Sequence, residues 1–437
     1  MKISMNKKTE SKIYWPIIIL FLAFGIDIIL NIFLANILDA EQYGDYAVAI
    51  KVAELFAIFC LMGSSASVTR FIPSYFKDKN WSKFKGFYKN RMKIFFILCF
   101  FIIIILVIIF AVLWLLNSNE SINIFFNHHP LLLAIFLIPF IGLAIILSRT
   151  LDSIKHQYIA AVTNRLAMPL LLLILTFLFT IFFEKITSVD IIFMFFIILI
   201  LIITFQLLVI YAKLPSNFNK IQPKFESELW QKTSTQLLVS SLIFFAFNQT
   251  GLIMLEILHT NEANVGIFAA ILTITSIIWL IRAGALYIYN PMIAPLFEKK
   301  QFDELQKIAQ QSTKNITYVS LIIFILLIIF SKEILSLYGK SFEDASLELI
   351  IIALGFFIKS LSALSESLLK FSGHVIHSIK PQIYCFIMNI ILCAVLIPYF
   401  GLLGAAISLL ISRSLLSIWQ ARIVKKILNI QTFIFYI

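Results

Sequence analysis

DAEQYGDYAVAIKVAELFAIFCLMGSSASVTRFIPSYF, residues 39–76, opens on an acidic turn around Gly44 and continues as an apolar helix long enough to cross a bilayer. The helix carries Lys51, Glu54 and Arg70 and closes at Pro73, just before a strongly basic segment. Ionisable groups in such a run are costly in lipid, so each is a candidate for function. A similar plan recurs in the second half of the chain.

Composition identifies the solvent. The chain is 61% hydrophobic and 13% charged, with a mean hydropathy of +0.97; a soluble domain carries about 25% charged residues. Runs such as 94–116 and 191–210 are rich in Ile and Phe, which alone favour strands. An isolated segment in lipid must satisfy its own backbone, so helix is expected instead. Cys60, Cys99, Cys385 and Cys393 all sit in apolar runs without CxxC spacing, and read as small apolar core residues. The basic N-terminus precedes a run too long for a signal h-region and without an A-x-A site, so a retained first helix is expected.

The pattern predicts an all-α polytopic membrane protein with about twelve spans, near 14–36, 46–71, 94–116, 131–150, 158–183, 189–212, 233–258, 265–290, 315–338, 346–370, 380–399 and 402–424. With a cytoplasmic N-terminus, the inside segments hold 26 of the 35 basic residues and the outside segments only Lys185, Lys332 and Lys340. That asymmetry places both termini in the cytoplasm. It also accounts for the net charge of +12 without a nucleic-acid partner, and it favours anionic membrane lipid. The segment KDKNWSKFKGFYKNRMK, with Trp81, Phe84, Phe87 and Tyr88 interleaved among its charges, reads as a helix lying in the membrane interface.

The recurrence is seen by aligning Gly44 with Gly266. Tyr46 then pairs with Phe268, Ala47 with Ala269, and Pro73 with Pro295. Spans 2 and 8 are six apart and run in the same direction, which implies a parallel repeat about an axis along the membrane normal. The break falls at the proline-bearing segment 213–232, so the expected organisation is an N-lobe 1–212 (spans 1–6), a cytoplasmic linker 213–232 and a C-lobe 233–437 (spans 7–12). Repeats of this kind place a substrate cavity between the lobes near the midplane.

Charges inside spans mark candidate sites. Asp27 and Asn31 share one face of span 1, and Lys51 and Glu54 share one face of span 2. Asp27 and Glu54 lie at similar depth, so adjacent helices are expected to bring Asp27, Lys51 and Glu54 into one cluster, and two readings stand: a neutralised structural cluster, or a carboxylate that takes up a proton or cation. Arg282, Lys359 and Arg413 have no acidic residue within four positions, so they suit a cavity that receives an anion. Span 7 adds Ser234, Thr235, Ser240, Ser241, Asn248, Gln249 and Thr250, either a polar cavity wall or interhelical hydrogen bonding. Pro139 and Pro169 are expected to kink spans 4 and 5.

No Walker A, GxSxG, HExxH or GxGxxG motif occurs, so neither catalytic residues, a metal nor a cofactor is expected. His128 and His129 are adjacent, point to different faces, and read as solvated loop residues.

The stretch ANILDAEQYGDYAVAIKVAELFAIFCLMGSSASVTRFIPSY resembles the N-terminal signature of polysaccharide-biosynthesis flippases, the O-antigen flippase family of the multidrug/oligosaccharidyl-lipid/polysaccharide exporter superfamily. The resemblance rests on Tyr43-Gly44 in the acidic turn, the Ala-rich start of span 2, Gly63-Ser64-Ser65 and Arg70-Phe71-Ile72-Pro73. It implies a flippase in the bacterial inner membrane that moves undecaprenyl-pyrophosphate-linked oligosaccharide outward by rocking two six-helix lobes, for assembly of O-antigen, capsule or exopolysaccharide. Its implied partners are the lipid-linked oligosaccharide, membrane lipids and other polysaccharide-assembly membrane proteins. On that analogy the pyrophosphate meets Arg282, Lys359 and Arg413. A cation-coupled multidrug exporter of the same superfamily is the alternative, kept open by Asp27 and Glu54. A membrane polysaccharide polymerase fits less well, because every outside loop is short.

Overall fold

A computed structural model describes residues 7–116, 130–258 and 261–433; His128 and His129 lie outside these. The described residues form helices and no strands. The helices are α1 (Lys7–Cys60), α2 (Ser64–Lys77), α3 (Trp81–Leu116), α4 (Leu131–Ser153), α5 (Gln157–Ala161), α6 (Ala167–Phe182) and α7 (Ser188–Tyr211). After them come α8 (Ser227–Leu258), α9 (Ala263–Glu298), α10 (Phe302–Ile329), α11 (Ser331–Ser336), α12 (Ser346–Ser360), α13 (Ser365–Phe371) and α14 (Val375–Leu428).

Among the described residues nine helices are long and apolar enough to cross a membrane, and α12 with α13, bent by 45°, supplies a further broken span. Two of the nine fold back on themselves. In α1 the backbone breaks at Asp39 (φ 62, ψ 176), and Tyr43 Oη donates to Asn31 Oδ1 at 2.8 Å. Twelve residues of straight helix would separate these positions by about 18 Å. Asp39 caps the outgoing arm by accepting from Gln42 N at 3.1 Å. In α14 the break is Gly401 (φ 52), and Ser412 Oγ reaches Asn389 Oδ1 at 3.4 Å across the turn. Counting each hairpin as two crossings, the described residues hold the expected twelve spans.

Contacts group the chain into two compact units, 45–245 and 1–44 with 246–437. In the first, α2 continues span 2 after a break at Met62 and Gly63, both with positive φ. A Cβ on Gly63 would lie 1.9 Å from the Ser234 carbonyl oxygen, so the glycine admits the α8 backbone there. Between α5 and α6, residues Val162–Leu166 form a π turn. The wider turn ends three residues before Pro169, whose ring would clash with the carbonyl four residues back in a regular helix.

The basic segment 77–93 is not an interfacial helix. α3 runs unbroken from Trp81, and Phe84, Phe87 and Arg91 are buried. The linker covers them. Lys224 N donates to Ser82 O, Lys85 Nζ donates to the carbonyls of Phe218, Asn219 and Ile221 at 2.7–3.1 Å, and Phe87 packs on Trp230. A linker with its own aromatic and carbonyl groups gives those side chains a drier partner than the headgroup region.

In the second unit an apolar core of Ile293, Leu305, Ala309, Leu364, Leu368, Leu369, Val424, Leu428 and Ile430 joins α9, α10, α13 and α14. Just beyond it the chain leaves helical geometry between α12 and α13. The freed carbonyls cannot turn to water in a bilayer and must be met by protein donors. Ile358 O and Ser360 O accept from Leu361 N and Ala363 N in tight turns and also from Ser417 Oγ (3.0 Å) and Thr317 Oγ1 (3.2 Å), while Ala363 O accepts from Arg282 Nε at 3.1 Å.

Candidate functional site

The unit of residues 1–44 and 246–437 holds the three cations singled out from sequence. Arg413 and Arg282 are 5% and 8% exposed, deep enough that the charge of each must be met inside the protein. Arg413 projects from the second arm of α14, its guanidinium carbon 3.5 Å from the centre of the Phe356 ring. Its Nη2 donates to Asn248 Oδ1 at 2.8 Å, so two of the expected site residues meet. Gln249 is half-buried on α8 and takes no part in that contact. Lys359 occupies the last turn of α12, beside the break, and its Nζ donates to Gln420 Oε1 at 2.6 Å.

Arg282 is not the isolated cation expected from its own helix. Its Nη2 lies 3.1 Å from Glu366 Oε2, and Lys370 Nζ lies 2.7 Å from Oε1 of the same carboxylate, to which Gln382 Nε2 also donates at 3.3 Å. The acid stands 84 residues away in sequence, beyond any in-helix spacing. Four cations, Arg282, Lys359, Lys370 and Arg413, thus accompany a single carboxylate in this cluster. Among the described residues no carboxylate lies within ion-pair distance of Lys359 or Arg413.

Polar residues recur at helical spacing on both arms of α14. Ser378, Gln382 and Asn389 line one arm; Ser408, Ser412, Ser417 and Gln420 line the other, and all are buried. The two stripes meet through Asn389 with Ser412 and through Gln420 Nε2 donating to Ser378 O at 3.3 Å. Buried Ser378 Oγ, Gln382 Oε1 and Asn389 Nδ2 have no protein partner among the described residues. Glu366, Gln382, Asn389 and Gln420 are not among the residues expected from sequence. Their signal is present there as polar residues recurring along one helical face at spacings of three to seven positions.

The carboxylate candidates divide between the units. Lys51 and Glu54 form an ion pair at 2.9 Å in the unit 45–245. Glu54 also lines a cavity of about 200 Å³ whose walls include Ile141, Asn164, Phe195 and Phe245. Asn31 does not bond the Asp27 carboxylate: its Nδ2 donates to the Asp27 carbonyl at 2.7 Å while its Oδ1 accepts from Tyr43. In span 7 the hydroxyls of Thr235, Ser241 and Thr250 donate to carbonyls of their own helix rather than across to another helix. Among the described residues no group of His, Cys, Asp and Glu could hold a metal ion.

A family model described as polysaccharide biosynthesis protein matches residues 11–297, and one described as MatE matches residues 237–395. The chain is similar to a multidrug resistance MATE family transporter of the MOP superfamily in its inward-facing conformation, at 14% identity and a TM-score of 0.73, covering 93% of this chain and 95% of that one. It is similar to the MATE multidrug transporter DinF-BH, at 15% identity and a TM-score of 0.70, covering 98% and 97%. It is also similar to the lipid II flippase MurJ in an inward closed conformation, at 18% identity and 0.59, covering 93% and 87%. No match to the curated proteins is found. At these identities the structural likeness establishes the fold alone: an all-helical, multi-pass membrane architecture.

Proposed function

The chain belongs to the polysaccharide biosynthesis protein family, and from that premise we propose that it is a flippase for an oligosaccharide carried on a pyrophosphate-linked polyprenyl lipid. The observation that carries this reading is the cation excess in the 246–437 region. Lys359 and Arg413 are held in place by neutral partners, Gln420, Asn248 and Phe356, rather than by counter-charges. Holding a cation in an apolar medium is costly unless an anion arrives to meet it, and guanidinium geometry suits phosphate oxygens. Gln420 and Asn248 keep the two cations oriented between turnovers. Arg282 is committed to Glu366 and to the broken span, and supports the site as a structural cation.

The cycle we infer is alternating exposure of this site by two lobes, 1–212 and 233–437, joined through 213–232. The setting is the bacterial inner membrane, with other polysaccharide-assembly proteins as partners. Asp27 and the Lys51–Glu54 pair are the candidate groups for coupling to an ion gradient.

The test is deletion followed by lipid analysis. Accumulation of a lipid-linked glycan on the cytoplasmic leaflet supports the proposal, and an unchanged lipid-linked pool overturns it. A second reading, export of amphiphilic cations, is favoured by the mainly apolar Glu54 cavity and by the MatE match. Drug sensitivity with normal surface glycan in the deletion strain would select it.

A further inference from the structure

Arg91, in the unit 45–245, is a buried cation that the proposed substrate site does not use. It is 1% exposed and stands three residues before the apolar run 94–116 begins. At 1.5 Å per residue that is about 4.5 Å from the start of the run, the level of the lipid headgroups. The positive-inside asymmetry assigns this end to the cytoplasm. Its partners are neutral. Nε and Nη2 donate to Asn90 Oδ1 at 3.0 and 2.6 Å, and Nη2 also donates to Gln231 Oε1 at 2.9 Å. Nη1 is buried and has no acceptor among the described residues. A guanidinium held this way, without an anion and with donors unmet, is costly.

The guanidinium faces the start of α8. Asn90 Nδ2 donates to Ser227 Oγ at 3.1 Å, so Asn90 and Arg91 both bond residues in the first two turns of that 32-residue helix. The free N–H groups and the dipole of a helix start favour an anion there. The linker holds the two elements in register: a Cβ on Gly86 would fall 1.9 Å from Lys224 O, so glycine is what lets the linker backbone seat on α3. Of the acids at this end, Glu226 is taken by Lys83 and Tyr75, and Glu228 is exposed on the first turn of α8. Asn90 and Gln231 are half-buried and Ser227 is exposed, so the groups around the guanidinium are open to solvent. Lys93 and Lys232, both exposed, draw anions toward them.

We propose that Arg91, Asn90, Ser227 and Gln231 form a phosphate-binding site between the start of α8 and α3. A phosphate set before the guanidinium accepts from Nη1 and Nη2 together, the two-pronged geometry that suits it. Turning the Gln231 side chain withdraws Oε1 from Nη2 and leaves Nε2 to donate, and Ser227 Oγ supplies a further donor. The depth of Arg91 favours the headgroup of an anionic phospholipid over free phosphate. Bound there, the phosphate bridges α3 and α8 and so keeps the linker docked between them. The proposal needs neither the flippase reading nor a glycan.

The test is the thermal midpoint of the purified protein in uncharged detergent, titrated separately with phosphatidylglycerol, phosphatidylcholine and inorganic phosphate at constant ionic strength. A ligand that binds only the folded state raises the midpoint. A rise with phosphatidylglycerol beyond that with phosphatidylcholine supports the site and assigns it a lipid phosphate. A rise with inorganic phosphate supports the site with the free ion as its source. Arg91→Met should need about tenfold or more ligand for the same rise, the loss of one charge-assisted hydrogen bond. Lys213→Gln, which removes an exposed charge elsewhere on this unit, should respond as the wild type does. Should Arg91→Met fail to accumulate, Ser227→Ala combined with Gln231→Leu weakens the same response with the guanidinium in place. No rise with phosphate and an equal rise with the two lipids overturns the proposal. An undiminished response in these site variants, or an equal loss in Lys213→Gln, does so too. The readout needs no glycan, so a failed flippase assay and a failed phosphate site are separate results.

Discussion

Arg282 and Glu366, 84 residues apart in the chain, meet at 3.1 Å beside the break in span 10. The pair does two jobs there, since Arg282 also supplies the hydrogen-bond donor for the freed Ala363 carbonyl. Removing one partner of a buried pair strands the other, at about 3–5 kcal/mol. The two deletions are unequal because Glu366 keeps Lys370 and Gln382 when Arg282 is lost. Glu366→Leu should therefore lower the thermal midpoint of the purified protein more than Arg282→Met does. The combined variant should fall short of the sum of the two losses. Strict additivity would mean the pair is not coupled.

Arg413→Ala and Lys359→Ala should each reduce export of the finished glycan while leaving protein in the membrane at near-normal levels. A charge-assisted hydrogen bond is worth about 1.5–3 kcal/mol, roughly a tenfold to hundredfold loss in flux for each. Asn248→Leu frees Arg413 from its orienting acceptor and should weaken transport less than removing the cation itself. Surface glycan at normal density in both alanine variants would remove the cations from substrate binding. Quantitative glycan blots beside membrane protein levels decide it.

The membrane architecture is legible in the sequence because lipid enforces one local rule: a long apolar run must be a helix. Whatever depends on pairing across distance is concealed. Glu366 and Arg282 share no helical spacing, so Arg282 reads as unmatched from its own helix. The aromatic residues of 81–88 follow the amphipathic pattern expected at a membrane surface, yet Phe84 and Phe87 are buried against a linker more than a hundred residues later. Conversely, Asn248 and Arg413 each stand out on their own helices by polarity and charge alone, and they are hydrogen-bonded to each other. The polar stripes of α14 obey a helical period that can be counted from sequence.

Asp27→Asn should blunt the dependence of transport on the proton gradient while leaving gradient-independent exchange in place. The change is nearly isosteric and removes one titratable group from span 1. Glu54→Gln tests the other candidate by leaving Lys51 beside a neutral amide in place of its 2.9 Å ion-pair partner. Transport into inverted membrane vesicles, with and without a collapsed proton gradient, separates the two. A gradient response unchanged in both variants takes these residues out of coupling.

The linker should behave as a docked strap. Glu226 Oε1 lies 2.6 Å from Lys83 Nζ, its Oε2 accepts from Tyr75 Oη at 3.2 Å, and Trp230 Nε1 donates to that same hydroxyl at 3.1 Å. The hydrogen bond from Lys83 is the main cause holding the Glu226 carboxyl below the usual carboxylate range. A group whose folded pKa is depressed binds its proton less readily folded than unfolded. Its contribution is fully present above the unfolded glutamate pKa of about 4.3 and is lost as pH falls through the lowered folded value. Melting midpoints measured across the acid range should therefore drop more steeply for the wild type than for Glu226→Gln. At neutral pH, Lys85→Met removes the ammonium that holds three linker carbonyls. Tryptic cleavage after Lys220 or Lys224 should then speed up by about tenfold, because cleavage reports local opening. Equal cleavage in wild type and Lys85→Met would mean that packing of Phe87 on Trp230, rather than the caged ammonium, holds the linker in place.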